Sequence, residues 1–286
     1  MTTYLVTGAA GQLGRRAISL LLERDLHVIA TTRDPAKLAD LAGRGVDVRR
    51  ADFDDAASLA AAFAGADRAL LISTDTIERP GHRIAQHRAA VAALAAAGVK
   101  HVVYTSMPNA PKSVCLIAPD HAATEAALAA TALDYTILRN AIYMEMLLHS
   151  LPAALASGTL VDSKGAARIA YVAREDCARA AVGALIGGRG RQTFDVTGPA
   201  AVTSDELVAL VGAVAKRPLA HVSVSHAALV DGMVAHGFTK ELAEMYASFD
   251  LAAVNGDLAA VTTTVRDLGG AAPTTLDAFL AAHFAK

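Results

Sequence analysis

A glycine-rich turn near the start of the chain has the residue types that bind phosphate. Residues 7–14 read TGAAGQLG, which gives the spacing GxxGxxG at Gly8, Gly11 and Gly14. In dinucleotide-binding turns the first glycine permits a tight turn, the second lets the backbone approach a pyrophosphate, and the third lets the helix pack on the sheet. Free amides at the helix start, together with the positive end of the helix dipole, attract phosphate.

The context of this turn favours a dinucleotide site over a glycine turn that binds nothing. An apolar strand, Tyr4–Thr7, precedes the turn and a helical pattern, Leu13–Arg24, follows it. This is the strand-to-helix arrangement that the motif requires. We therefore expect cofactor contacts along the whole turn, at Gly8, Ala10, Gly11, Gln12, Leu13 and Gly14.

The end of the second predicted strand decides between NAD and NADP. A site for NAD usually carries an acidic residue there, which binds the ribose 2′-hydroxyl. This chain has Arg33 at that point, and a guanidinium forms bidentate bonds with a 2′-phosphate. Lys37, one turn further on, adds positive charge, whereas Asp34 offers the alternative of a carboxylate for the hydroxyl. The sequence favours NADP(H) over NAD(H).

Polar residues at other strand ends complete the expected cofactor site. Asp52 and Phe53 follow the third predicted strand, where the adenine edge is expected, and Ser73 and Thr74 follow the fourth. Asn140 follows the sixth strand and satisfies either backbone groups or the nicotinamide carboxamide. In open α/β sheets, ligands bind outside the carboxyl ends of the strands, so these residues are expected at one edge.

The elements that must position these residues alternate regularly. Short apolar runs alternate with Ala- and Leu-rich stretches of helical period, which predicts a parallel sheet covered by helices on both faces. The fold class is therefore α/β, a Rossmann-type doubly wound parallel sheet. The predicted strands are Tyr4–Thr7, His27–Thr31, Val46–Arg49, Arg68–Ile72, His101–Thr105 and Tyr135–Leu138.

The pattern loosens after about residue 145, which predicts a smaller, mostly helical C-terminal substrate lobe. We place an NAD(P)-binding domain at residues 1–148 and the lobe at 149–286; residues 166–200 either belong to the lobe or return to the main sheet. Ser150–Lys164 is expected to be irregular, and Ile169–Val172 and Thr193–Thr197 to be short strands. Thr203, three residues before a glutamate, predicts a capped helix.

Composition excludes several classes of protein. The 286 residues carry a formal net charge of −2, which gives no indication of nucleic acid or of an anionic membrane surface as a partner. Two cysteines far apart, Cys115 and Cys177, indicate packing thiols in a reducing cytoplasm. No basic n-region with an apolar core suggests a signal peptide, no membrane span is expected, and no histidine or cysteine set has metal-ligand spacing.

These motifs resemble the NmrA-like branch of the atypical short-chain dehydrogenases/reductases. The resemblance covers nearly the whole chain and is most specific in residues 135–143, which read YTILRNAIY. Within the branch the chain is most similar to the bacterial NAD(P)H:quinone oxidoreductases, with triphenylmethane reductase as a related type. The resemblance implies an NADPH-binding protein of two lobes with the substrate cleft between them. It does not fix one reaction, since the branch also contains redox-sensing regulators without catalytic activity.

The expected catalytic residues depart from those of typical short-chain reductases, which use a Tyr-xxx-Lys pair and a serine. Ser106 corresponds to the serine, but His121 and Glu125 stand where the tyrosine and lysine are expected. A site without that pair favours an acceptor whose reduced form needs no immediate protonation, such as a quinone. We nominate Ser106, His121 and Tyr143 as catalytic candidates, each with a structural alternative: a strand-end hydrogen bond, a bond to the cofactor ribose and a packing contact, respectively.

Three functions remain open at this point. The first is an NADPH-dependent oxidoreductase that transfers hydride to a quinone or another planar, electron-poor acceptor. The second is an NAD(P)-dependent carbonyl reductase or alcohol dehydrogenase in the same cleft, and the third is a non-catalytic NADP(H)-binding redox sensor. A homodimer through the Ala-rich helix face of Arg83–Ala97 is a further expectation, although packing on the sheet explains the same pattern.

Overall fold

The computed structural model describes residues 1–76, 79 and 81–285. Within these residues the strands are β1 (Thr3–Val6), β2 (His27–Thr32), β3 (Asp47–Arg50), β4 (Arg68–Leu71), β5 (His101–Ser106), β6 (Asp134–Asn140), β7 (Thr159–Asp162), β8 (Arg191–Val196) and β9 (Ala220–Ser223). The helices are α1 (Gln12–Leu22), α2 (Ala39–Ala42), α3 (Ala56–Phe63), α4 (His82–Ala96), α5 (Ala118–Ala129), α6 (Leu147–Ser157), α7 (Arg174–Gly187), α8 (Ser204–Ala215), α9 (His226–Ala235), α10 (Lys240–Val254), α11 (Thr264–Gly269) and α12 (Leu276–Phe284). Short 3₁₀ turns occupy Pro35–Leu38 and Met144–Met146.

The main sheet has the order β3-β2-β1-β4-β5-β6-β8, and every neighbouring pair is parallel. The chain moves outward from β1 in one direction through β2 and β3, and then in the other through β4. This reversal between β1 and β4 creates the crevice in which doubly wound sheets bind their ligands. The predicted α/β, Rossmann-type fold is confirmed.

Successive side chains along each strand point to opposite faces of the sheet, so the core is divided into two parts, one on each face. Tyr4 and Val6 pack into the cluster that contains α1 and α7, whereas Leu5 packs on the other side, with α3, α4 and α5. All three side chains are buried. Neighbouring side chains of a strand point to opposite faces, and helices cover both faces, so the inner strands are mostly apolar whereas the edge strands β3 and β8 carry charged residues.

A second, smaller sheet pairs β7 with β9 in parallel. It lies in the C-terminal part of the chain with α6, α8, α9, α10 and α12, and much of this part shares an apolar cluster of its own. Strand β8 lies in the main sheet beside β6. The domain boundary between residues 148 and 149 stays a prediction.

Two local predictions for this region are wrong. Ile169–Val172 does not form a strand, because its backbone N–H groups donate to separate segments: that of Ile169 to the Val202 carbonyl (3.0 Å), and that of Val172 to the Ile142 carbonyl (3.0 Å). The segment expected to be irregular around Pro152 is helix α6 followed by strand β7, with Gly158 in the left-handed conformation between them.

Other predictions for the C-terminal part are confirmed. Thr193–Thr197 lies largely within β8. The capping box is present as well: the Glu206 N–H donates to the Thr203 hydroxyl and the Glu206 carboxylate accepts from the Thr203 N–H. Over the described residues, the structure contains no helix that is both long enough and apolar enough to span a membrane.

Candidate functional site

A cleft of about 630 Å³ opens at the carboxyl ends of the central strands, above the crevice between β1 and β4. Its volume is within the usual range for small-molecule sites. Its walls come from the glycine turn, from the ends of β2 to β5, and from two residues further along the chain. The lining residues are Gly8, Ala10, Gly11, Gln12, Leu13, Gly14, Thr31, Thr32, Arg33, Ala51, Asp52, Phe53, Ile72, Ser73, Thr74, Asp75, Thr76, Gln86, Thr105, Tyr143 and Arg174.

The glycine turn lines this cleft and has the backbone geometry that an anion site requires. Gly8 has a φ of 59°, in the left-handed region that favours glycine. A Cβ atom at Gly14 would lie 2.5 Å from the Gly8 carbonyl oxygen, so only glycine lets α1 start this close to the strand. Gly11 caps α1 without a side-chain hydrogen bond, which leaves the first amides of the helix to a ligand.

Arg33 lines one end of the cleft, whereas its charged neighbours Asp34 and Lys37 do not line it. The Arg33 side chain is exposed. Asp34 Oδ1 accepts from the Ala36 N–H (3.1 Å) and caps the 3₁₀ turn that follows, and Asp34 does not line the cleft. Lys37 is exposed and does not line the cleft; its carbonyl accepts a bond from Arg15, which also pairs with Asp40.

Asp52 and Phe53 line the same end of the cleft. The Asp52 carboxylate accepts from the Asp54 N–H (3.1 Å), and the Asp52 N–H donates to the Ser58 hydroxyl (2.9 Å). The loop after β3 is therefore held by its own hydrogen bonds, with the Phe53 ring half-buried against the core. This is the end at which the sequence places the adenosine half of a dinucleotide.

Ser73 and Thr74 line the other end, where they are held by buried residues behind them. The Ser73 N–H donates to the Thr105 hydroxyl (2.9 Å), and the Thr74 N–H donates to His87 Nε2 (3.0 Å). Arg83 Nε donates to the Thr74 carbonyl (2.8 Å). The backbone at Ser73 and Thr74 is thus held by hydrogen bonds although both residues lie at the surface of the cleft.

Tyr143 and Arg174 form the wall opposite this segment. Asn140, only 8 % exposed, donates from Nδ2 to the Tyr143 hydroxyl oxygen (3.1 Å) and does not itself line the cleft. Burial raises the pKa of the Tyr143 phenol, so the phenol stays protonated at neutral pH. The Arg174 guanidinium carbon lies 5.1 Å from the centre of the Tyr143 ring.

His121 lies behind the cleft wall, 4 % exposed, and does not line the cleft. Arg83 donates to His121 Nε2 (3.1 Å). A guanidinium can only donate, so the proton of the imidazole is on Nδ1, which donates to the Tyr104 hydroxyl (2.9 Å). Burial, followed by the nearby Arg83 charge, holds the pKa of His121 well below its usual value. His121 is therefore neutral and fully engaged in the core.

Ser106 is also engaged away from the cleft. Its hydroxyl donates to Glu125 Oε1 (2.6 Å), and both Glu125 oxygens accept from Arg139, at 2.9 and 2.6 Å. All three residues are largely buried. The Arg139 charge compensates Glu125, and the bidentate geometry is that of a strong structural ion pair.

The structure thus separates the predicted site residues into two groups. The six turn residues predicted to contact the cofactor line the cleft, together with Arg33, Asp52, Phe53, Ser73, Thr74 and Tyr143. The predicted residues outside the cleft lining are Lys37, Ser106, His121 and Asn140. Sequence reasoning did not nominate Arg174, which is the first residue of α7 and is followed by the acidic Glu175 and Asp176.

Few ionisable residues line the described part of the cleft. The ionisable residues in its described lining are Arg33, Asp52, Asp75, Tyr143 and Arg174, and none of them has an ordinary pKa near neutrality. In the part of the chain that the structure describes, no group of three or more His, Cys, Asp or Glu residues is arranged to hold a metal ion. The cleft can bind an anionic dinucleotide, and its described lining contains no histidine, cysteine, lysine or glutamate.

The chain is similar to known proteins over nearly its whole length. A family described as NAD(P)H-binding matches residues 8–186. Quinone oxidoreductase 2 of Escherichia coli (strain K12) is 35 % identical over 95 % of both chains. The crystal structure of an NADPH-dependent quinone oxidoreductase from Escherichia coli complexed with NADPH has a TM-score of 0.94 and 34 % identity, covering 98 % of this chain and 99 % of that one. The Citrobacter sp. triphenylmethane reductase complexed with NADP(H) has a TM-score of 0.90 and 33 % identity, covering 97 % and 98 %.

Proposed function

The chain belongs to the NAD(P)H-binding family and is an NAD(P)H-dependent oxidoreductase, and from this premise we propose that it transfers hydride to a quinone or another planar, electron-poor acceptor. The predicted resemblance to quinone oxidoreductases and triphenylmethane reductase within the NmrA-like branch is confirmed.

NADP(H) is the favoured cofactor, and the residues present fit it. The uncapped start of α1 and the glycine turn would hold the diphosphate. Arg33 would bind the 2′-phosphate, since Arg33 lines the cleft whereas Asp34, the alternative partner for a 2′-hydroxyl, does not. When bound, the reduced nicotinamide supplies a hydride, which is two electrons with one proton.

The observation that carries the proposal about the acceptor is that the described cleft lining contains no histidine, cysteine, lysine or glutamate, side chains that commonly act as general acids. Hydride addition to a simple ketone forms an alkoxide, which needs a nearby acid, whereas addition to a quinone forms a stabilised phenolate that water protonates later. The chain would then act by positioning: it fixes the acceptor against the cofactor and excludes other orientations.

We propose Tyr143, rather than Ser106 or His121, as the residue beside the acceptor. Ser106 donates its proton to Glu125, and His121 is enclosed by Arg83 and Tyr104. Tyr143 reaches the cleft, and the Asn140 amide already donates to its hydroxyl oxygen, so the hydroxyl proton is directed to a further acceptor. With its raised pKa, Tyr143 is a hydrogen-bond donor to a carbonyl oxygen rather than a strong acid.

The same contact is the observation that favours the second candidate function. A phenol whose proton is available to a carbonyl oxygen would also serve a carbonyl reductase or alcohol dehydrogenase in this cleft. The burial that raises its pKa opposes proton release, so we place this function second.

Steady-state turnover tests the proposed function. Purified protein is mixed with NADPH or NADH and a soluble quinone, and the loss of the reduced nicotinamide absorbance band is followed. We expect oxidation that requires the quinone and is faster with NADPH than with NADH. Tight NADP⁺ binding without turnover of any quinone, azo or cationic dye would contradict the proposal and favour the redox sensor.

A further inference from the structure

Arg174 lies in the cleft between the glycine turn and Tyr143. It is the first residue of α7 and lines the cleft, with its side chain about one-fifth exposed. One guanidinium nitrogen donates to the Gln12 side-chain oxygen, on the first turn of α1. The face of the same guanidinium lies over the Tyr143 ring, 5.1 Å from its centre. One side chain thus touches both the expected diphosphate site and the expected acceptor wall.

The backbone around Arg174 is tied to the Tyr143 wall. The Arg174 N–H donates to both carboxylate oxygens of Glu145, at 3.1 Å each. The Met144 N–H donates to the Val172 carbonyl at 2.9 Å. Glu145 also lies 3.9 Å from the Arg174 guanidinium. The Arg174 side chain therefore extends from a point at which residues 144–145 and residues 172–174 are joined by hydrogen bonds.

Charge indicates the ligand of Arg174. Arg33 and Arg174 are the cations of the described cleft lining, and Arg33 stands at the adenosine end, beyond β2. Arg174 stands beside the amides of α1, where a dinucleotide diphosphate is expected. A neutral side-chain amide, Gln12, is a weaker partner for a guanidinium than a phosphate oxygen is.

On the basis of the proposed function, we propose that Arg174 binds the diphosphate of the dinucleotide and thereby fixes Tyr143, so that the cofactor site and the acceptor wall are coupled through one side chain. A planar guanidinium can donate to an oxyanion while its face stacks on an aromatic ring. An ammonium group also donates to oxyanions, but it has no flat face to stack. The consequence is an order of binding: a planar acceptor binds more tightly after the dinucleotide than before it.

The first arm of the test measures cofactor affinity by calorimetry, without any acceptor. Arg174→Ala is expected to weaken NADP⁺ and NAD⁺ by the same factor, about 10- to 100-fold, because the diphosphate is common to both. Arg33→Ala is expected to weaken NADP⁺ alone. Arg168→Ala, which removes an exposed arginine paired with Glu206 away from the cleft, serves as the matched control and should change neither affinity.

The second arm measures coupling with 2-methyl-1,4-naphthoquinone as the probe, with and without saturating NADP⁺, which cannot reduce it. In the unmodified protein we expect NADP⁺ to tighten quinone binding by about 5-fold or more, within the usual range of coupling between sites. Arg174→Lys keeps the charge and loses the stacking face, so it should retain most of the NADP⁺ affinity and lose the coupling. Arg174→Ala should lose both.

The outcomes separate this inference from the proposed function. Equal affinity of Arg174→Ala and the unmodified protein for both dinucleotides would overturn the diphosphate contact, whatever the acceptor is. Undiminished coupling in Arg174→Lys would overturn the role of the stacking face. If the dinucleotide arm behaves as expected and no quinone binds or turns over, the proposed acceptor fails while Arg174 keeps its place in the cofactor site.

Discussion

The polar side chains around the cleft differ in whether they have partners within the protein. Arg33 and Tyr143 reach the cleft with groups free to meet a ligand, whereas His121 and Ser106 have their hydrogen bonds taken by buried neighbours. Sequence spacing identified Arg33 because the end of β2 has a fixed place in this fold. It could not show that His121 is enclosed, since the enclosing Arg83 and Tyr104 come from other elements.

Arg33→Asp tests cofactor choice at the residue scale. The substitution removes a charge-assisted bond to the 2′-phosphate and adds a repulsive carboxylate. We expect NADPH to bind at least about 10-fold more weakly relative to NADH. Titration of the two reduced cofactors by their own fluorescence measures this ratio, and an unchanged ratio would remove Arg33 from the 2′-phosphate site.

His121→Leu tests whether His121 is structural. The leucine removes one buried hydrogen-bond partner from Arg83 and one from Tyr104, so we expect the free energy of unfolding to fall by about 1–3 kcal/mol. His149→Leu, at an exposed position, should change it by less than about 0.5 kcal/mol. Urea unfolding measures both.

The same variant gives a second readout on catalysis. Because the pKa of His121 lies well below its usual value, its ionisation cannot shape the activity between about pH 6 and 8. The pH profile of kcat/KM should therefore be the same in His121→Leu and in the unmodified protein. Loss of an ionisation from that profile would assign His121 a part in proton transfer.

At the scale of elements, the position of α7 depends on how closely α11 approaches it. A Cβ atom at Gly183 would lie 1.8 Å from the Leu268 carbonyl oxygen, so the two helices are in backbone contact there. Helix α7 also packs on α1 and begins with Arg174. The distance between α7 and α11 therefore affects the wall of the cleft as well as the core.

Gly183→Ala tests this contact against a control in the same helix. The added methyl group must separate α7 from α11, and we expect a loss of about 1–3 kcal/mol or more in the free energy of unfolding. Gly187→Ala, with no atom within 4 Å of its Cβ position, should be neutral or stabilise by up to about 1 kcal/mol. Equal thermal and urea stability of the two variants would contradict the close approach.

Prediction from sequence succeeded for the elements of the main sheet and was weaker beyond them. The inner strands β1, β2, β4 and β5 are largely buried and appear as apolar runs between helical stretches. Ile169–Val172 has the same apolar character, yet its backbone bonds go to three segments that lie far apart in sequence. Pro152 and Gly158 indicated a break, although the chain forms a helix and a strand around them.

At the scale of the whole molecule, the fold collects residues from distant parts of the chain at one edge of a parallel sheet. The glycine turn, the ends of β2 to β5, Tyr143 and Arg174 meet in one cleft only because the strand order reverses between β1 and β4. The position of that cleft was predictable from the turn alone. Its far wall was not, because Arg174 reaches it from α7, outside the six predicted strands.

The central claim is that the cleft acts by positioning, without a proton donor that limits the rate. The most direct test compares unmodified protein and Tyr143→Phe, with a quinone and with an aryl ketone of similar size, by oxidation of NADPH. The phenylalanine keeps the ring beneath Arg174 and removes only the hydroxyl. We predict that quinone reduction falls by less than about 10-fold and that the ketone is a poor substrate of both proteins. A loss of about 100-fold or more with the quinone, the usual size of a general-acid contribution, would contradict the claim and make Tyr143 the proton donor.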